Sequence, residues 1–114
     1  MRLLVCGGRD FSDESLLLST LDAIDAEYEV KLLIHGAARG ADTLADRWAA
    51  DLKIPVLKFP ALWDKHGRSA GHIRNTQMLN EGKPTYVVAF KGGKGTANMV
   101  RQAREFGILV REIS

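Results

Sequence analysis

One cysteine and no apolar run longer than five residues set the first limits on this 114-residue chain. With Cys6 alone no internal disulfide can form, and the cysteine-rich zinc clusters are excluded with it. The longest apolar stretch, Tyr86 to Phe90, falls far short of the roughly 18 residues that a membrane span requires. At the start of the chain, Met1 to Cys6 meets Gly7-Gly8 and the charged Arg9-Asp10 pair before a secretory stretch can develop, so the expected compartment is the cytoplasm. Charge of one sign is missing as well: 16 Lys plus Arg face 14 Asp plus Glu, a net +2. No long basic stripe gathers that small excess, so nucleic acid is not an expected partner. Any hold on an anionic ligand must come from local placement. The common nucleotide signatures are absent: Lys94 is followed by Gly95, which removes the G-K-[ST] ending, and Gly93 to Asn98 lacks the third glycine of G-x-G-x-x-G. His66 and His72 stand six apart, the wrong spacing for two ligands on one helical turn, so no metal is expected.

What is present is the composition of a globular domain. At 46% hydrophobic and 26% charged, a chain of this size can bury about two-thirds of its unfolded surface. Five short apolar runs read as strands: Leu3 to Val5, Leu32 to Ile34, Val56 to Phe59, Tyr86 to Phe90 and Ile108 to Val110. They lack polar alternation, as strands covered on both faces do, and each gap between them holds a helix. The first helix has Ser12 or Asp13 as N-cap and Leu17, Leu21, Ile24 and Tyr28 on one face. The second aligns Leu44, Ala45, Trp48, Ala49 and Leu52. The third is expected from about Ser69 to Leu79, and the fourth from Thr96 to Phe106, with Val100, Ala103 and Phe106 inward and Gly107 as its stop. The alternation predicts a single α/β domain over residues 1–114, a Rossmann-like three-layer sandwich with a five-stranded parallel sheet in the order 3-2-1-4-5. In such sheets ligands bind beyond the carboxyl ends of the strands, where the strand order reverses.

The residues just after the strands therefore matter most, and seven of the eleven glycines follow strands one, two and four. Strand one leads into Gly7-Gly8-Arg9-Asp10, strand two into Gly36-Ala37-Ala38-Arg39-Gly40-Ala41-Asp42, and strand four into Gly92-Gly93-Lys94-Gly95-Thr96. Glycine lets a backbone approach a ligand closely, and the free N–H groups of a following helix hold phosphate. Tight strand-to-helix turns call for glycine in any case. Three such loops at one sheet edge, interspersed with basic residues, point to a phosphate cradle. The connection after strand three, Trp63 to Asn75, is unusually polar and reads as a lid. Within it Trp63 either covers a helix end or stacks on a base, and Arg74 and Asn75 fall in the first turns of the third helix. Asp42 reads equally as a site carboxylate and as the N-cap of the second helix.

Four segments, Gly7 to Phe11, His35 to Asp42, Gly71 to Asn75 and Gly92 to Ala97, resemble the YspA-like branch of the SLOG superfamily, the Rossmann-like group that includes the LOG phosphoribohydrolases and DprA-type proteins. In LOG enzymes the resemblance implies hydrolysis of the N-glycosidic bond of a nucleoside monophosphate. Arg74 and Met78 match that group's helix motif, with His72, and Gly92, Gly93, Gly95 and Thr96 match its loop. Two positions depart: Lys91 replaces a proline, and Met99 stands where the family has its catalytic glutamate. A thioether neither activates water nor stabilises an oxocarbenium-like transition state. The resemblance thus implies first a module that binds or senses a nucleotide or nucleotide-derived ligand, an ADP-ribose, NAD-like or nucleoside phosphate molecule, without turnover. The alternative is a phosphoribohydrolase in which Asp10 or Asp42 supplies the carboxylate beside Arg74. No resident cofactor is implied. Small members of the superfamily often pair, which leaves a homo-oligomer open.

Overall fold

A computed structural model describes residues 1–114, and its order of elements is that read from the sequence. Strands β1 (Arg2–Cys6), β2 (Leu32–His35), β3 (Val56–Lys58), β4 (Tyr86–Ala89) and β5 (Leu109–Glu112) form one sheet in the order β3-β2-β1-β4-β5. Every neighbouring pair is parallel, with Leu4 opposite both Ile34 and Val87. The protein is an α/β, Rossmann-like sandwich.

Helices α1 (Glu14–Tyr28) and α2 (Ala41–Asp51) cover one face, and α4 (Ala70–Gln77) and α5 (Lys94–Glu105) the other, with the short α3 (Trp63–His66) at the rim. Because successive strand residues point to opposite faces, β1 splits its side chains between two cores. Leu3 and Val5 join Leu17, Leu21, Ile24 and Trp48, whereas Leu4 and Cys6 join Met78, Met99, Val100 and Ala103. Steps outward from β1 to β2 and β3 use one face and steps to β4 and β5 the other, as a single right-handed crossover sense requires. Burying Trp48 also means satisfying its indole N–H, which donates to Asp22 Oδ1 on α1 at 2.8 Å.

The helix ends differ from expectation in an instructive way. Asp13 is the N-cap of α1, its carboxylate accepting the Leu16 N–H at 3.1 Å. Tyr28, Leu52 and Phe106, each assigned by periodicity to an inward face, are about half exposed. All three sit at the last residue of their helices or one past it, where cover is partial, and Tyr28 there keeps the Tyr86 ring as a neighbour, the centroids 6.0 Å apart. The third expected helix is found as α4, which widens into a π turn over Met78–Gly82, and it is preceded by α3 and a tight 3₁₀ turn over Gly67–Ser69. Its widened end buries Met78 and Leu79 against the sheet. No helix is long and apolar enough to cross a membrane.

Candidate functional site

The sheet pairing of β1 with β4 continues past the strand ends, since Phe90 N–H donates to the Cys6 carbonyl at 2.9 Å and Gly8 N–H to the Lys91 carbonyl at 3.0 Å. This brings two glycine loops side by side at the point where the strand order reverses. The loop after β2 closes from the other side: the Ala41 N–H donates to the Gly8 carbonyl at 3.3 Å. Gly40, with φ of +78°, makes that approach, and a Cβ there would collide with the Gly8 and Arg9 carbonyls. Between these loops and the start of α4 lies a cleft of about 880 Å³, toward the upper end of the size range of ligand pockets.

Arg74 connects the walls. Its Nη1 donates to the Gly36 carbonyl at 2.6 Å and its Nε to Asn75 Oδ1 at 3.1 Å. Gly36 must be glycine for this, because a Cβ would occupy the space of the guanidinium. Asn75 is buried and spends its amide internally, donating to the Gly95 carbonyl at 3.1 Å and to Asn98 Oδ1 at 3.0 Å. Asn98 Oδ1 also accepts from Gln102 Nε2 at 2.7 Å. A polar chain thus runs from the β2 loop through α4 to α5 and fixes the orientation of Arg74. Burial lowers the Arg74 pKa and the neighbouring Arg9 charge adds to this, while Asp42 opposes it. A guanidinium remains protonated under such shifts.

Asp42 does not cap α2. Its Oδ2 instead accepts the Gly36 and Ala38 N–H groups, each at 3.2 Å, and so holds the β2 loop in shape. Gly40 takes the N-cap position, and the Asp42 side chain folds back beneath the loop. Burial raises its pKa, against the pull of those two N–H groups and of the Arg74 charge. Next to it, His35 accepts the Ala37 N–H at its Nδ1, 2.9 Å away, and its Nε2 lies 2.8 Å from Asp46 Oδ1. The Nδ1 acceptor fixes the proton on Nε2.

Of the residues singled out in the sequence, Gly7, Gly8, Arg9, Asp10, Gly36 and Asp42 line the cleft, and so do Arg74, Asn75, Gly92, Gly93, Gly95 and Thr96. Arg39, Gly40 and Lys94 do not. Gly40 buttresses the Gly8 loop from behind, Lys94 opens α5 on the exposed side, and Arg39 lines a second, adjoining cavity. A Cβ at Gly93 or Gly95 would meet nothing within 4 Å, so packing within the chain does not demand glycine at either position. Helical bonding in α5 begins with the Ala97 N–H, which donates to the Gly93 carbonyl at 3.0 Å. The N–H groups ahead of it are those any helix start leaves open. Met99 is fully buried in the core beneath α5 and does not reach the cleft.

Two lining residues had no sequence signal of comparable strength. Cys6 forms part of the floor, where burial raises its thiol pKa far above the usual range. Trp63 stands half-exposed at the rim with the Arg9 guanidinium 5.3 Å from its ring centroid. That pairing joins the first loop to the third connection and is not encoded in either segment alone. Nowhere do three or more His, Cys, Asp or Glu side chains gather as a metal site would require.

A doubly wound sheet with glycine loops around a cleft at its switch point defines a Rossmann-like ligand-binding domain. Residues 1–66 match the YspA, cpYpsA-related SLOG family, and the chain belongs to that family. It is also similar to the Gene 61 protein of Mycobacterium phage D29, with 35% identity over 118 residues covering 96% of this chain and 93% of the phage protein.

Proposed function

We propose that the protein binds a nucleotide or nucleotide-derived ligand, its phosphate held at the start of α5 and by Arg74. The observation that carries this reading is the space reserved at Gly93 and Gly95, glycines that face an open cleft beside the unbonded N–H groups of a helix start. Family membership supports the same ligand class. Binding without turnover follows from the chemistry of the walls. The LOG-type glutamate position is Met99, which lies inside the core. Of the remaining carboxylates, Asp42 has one oxygen committed to two backbone N–H groups, and Asp10 sits on the exposed loop after β1.

The test combines binding and turnover. A thermal-shift screen with nucleoside mono-, di- and triphosphates, NAD, ADP-ribose and cyclic dinucleotides should find a ligand that stabilises the fold by about 2.7 kcal/mol when present at about 100 times its dissociation constant. Chromatography of nucleoside monophosphates incubated with the protein should detect no free base. Steady base release that disappears in Asp10→Asn or Asp42→Asn, with binding retained, would establish the hydrolase instead.

A further inference from the structure

Adjoining the main cleft is a second cavity of about 460 Å³, which shares Arg9, Gly36, Ala38, Trp63 and Arg74 with it. Three guanidinium groups line this cavity, those of Arg9, Arg39 and Arg74, and its other walls are Gly36, Trp63 and small apolar residues. No carboxylate is among them. None of the four ion pairs of the protein includes any of the three arginines. Neither Arg9 nor Arg39 donates a side-chain hydrogen bond to another residue, and Arg74, after bonding Gly36 and Asn75, has its Nη2 free of any protein partner. Burial and then the Arg9 charge disfavour the charged form of Arg74, while Asp42, which lines the main cleft and not this cavity, favours it. Like charges lining one concave surface that has no carboxylate in its own lining raise the local potential and attract an anion. Guanidinium forks match the oxygens of a phosphate.

We infer that this cavity is a second anion site, and that the ligand of the protein carries two phosphate-bearing parts, one for the α5 cradle and one for the arginine cavity. A dinucleotide is the class of molecule that fits. The inference rests on the nucleotide reading of the main cleft. Arg74 is common to both cavities and sits between the two groups, its Nη1 fixed by Gly36 and its Nη2 open. Arg9 lines both, and Arg39 belongs to the second cavity alone. Arg39 therefore distinguishes a ligand that reaches the second site from one that fills only the first.

The experiment uses calorimetry at low ionic strength on the wild type, Arg39→Ala, Gly93→Val and the double variant. Arg39 is exposed and Gly93 faces open space, so all four chains should fold. The probes are AMP and GMP, their 5′-phosphorylated dinucleotides, and inorganic pyrophosphate. Arg39→Ala should weaken dinucleotide binding by about tenfold or more, the loss of one charge-assisted contact, while leaving mononucleotide affinity within about twofold. In the Gly93→Val background, where the cradle is blocked, pyrophosphate should still bind, and adding Arg39→Ala should remove that binding. Equal losses for mono- and dinucleotides, or pyrophosphate affinity indifferent to Arg39, would overturn the inference. If the wild type binds no nucleotide at all, the reading of the main cleft fails, and with it the dinucleotide. The pyrophosphate arm still decides the arginine site.

Discussion

The Arg74 guanidinium and the Gly36 carbonyl, 2.6 Å apart, join two elements that lie on opposite sides of the cleft and are distant in sequence. The bond fixes both the side chain and the loop that its partner belongs to. It also holds Arg74 where it lines both the main cleft and the adjoining arginine-lined cavity.

Arg74→Ala should therefore act twice. Loss of the charged donor leaves the part-buried Gly36 carbonyl and the Asn75 amide oxygen without it, which should lower stability by about 1–3 kcal/mol in urea denaturation. Affinity for a nucleoside monophosphate should fall about tenfold or more, and that for the matching nucleoside by less than about threefold, since the fork recognises phosphate oxygens and not the base. Equal losses for the two ligands would leave Arg74 with only its bracing role.

The glycines divide by what surrounds them. Gly40→Ala forces a Cβ into a left-handed backbone and against the Arg9 carbonyl, 2.7 Å away, and should cost about 2 kcal/mol or more. Gly93→Ala meets open space, so stability should stay within about 0.5 kcal/mol of the wild type. Nucleotide affinity should nevertheless fall in Gly93→Ala. Parallel denaturation and binding measurements separate the two effects, and undiminished affinity in Gly93→Ala would move the cradle elsewhere.

Two buried or half-buried aspartates should give opposite slopes of stability against pH. The His35 hydrogen bond holds the Asp46 carboxyl below its ordinary 3.8. Its stabilisation is then fully present above the unfolded value and is lost as pH falls through the folded one, below 3.8. Asp42 has its pKa raised above 3.8 by burial, so the folded chain keeps a proton that the unfolded chain has released. Its contribution declines as pH rises from 3.8 to the folded value. Unfolding free energies followed from about pH 3 to pH 7 should lose part of the acid limb in Asp46→Asn. They should lose the decline above 3.8 in Asp42→Asn. A common slope in both variants would contradict these assignments.

The sequence by itself determined the sheet. Unbroken apolar runs such as Tyr86 to Phe90 have nowhere to go but the interior of a parallel sheet, and long helical gaps force crossovers of one hand. The glycine loops after strands one, two and four then fall at one edge, so their meeting followed from strand order alone. Their chemistry did not. Asp42 looks like a helix cap locally and becomes the tie of the β2 loop, because only the folded chain presents it with the Gly36 and Ala38 N–H groups. Periodicity put Tyr28, Leu52 and Phe106 on inward faces, yet a face is buried only as far as its neighbour extends. The stacking of Arg9 on Trp63, the bond from Arg74 to Gly36 and the arginine cavity join residues from different loops. Local pattern specifies which way a side chain points from its own element. Tertiary structure decides what it meets there, because that depends on the register and packing of segments whose sequences carry no mark of one another.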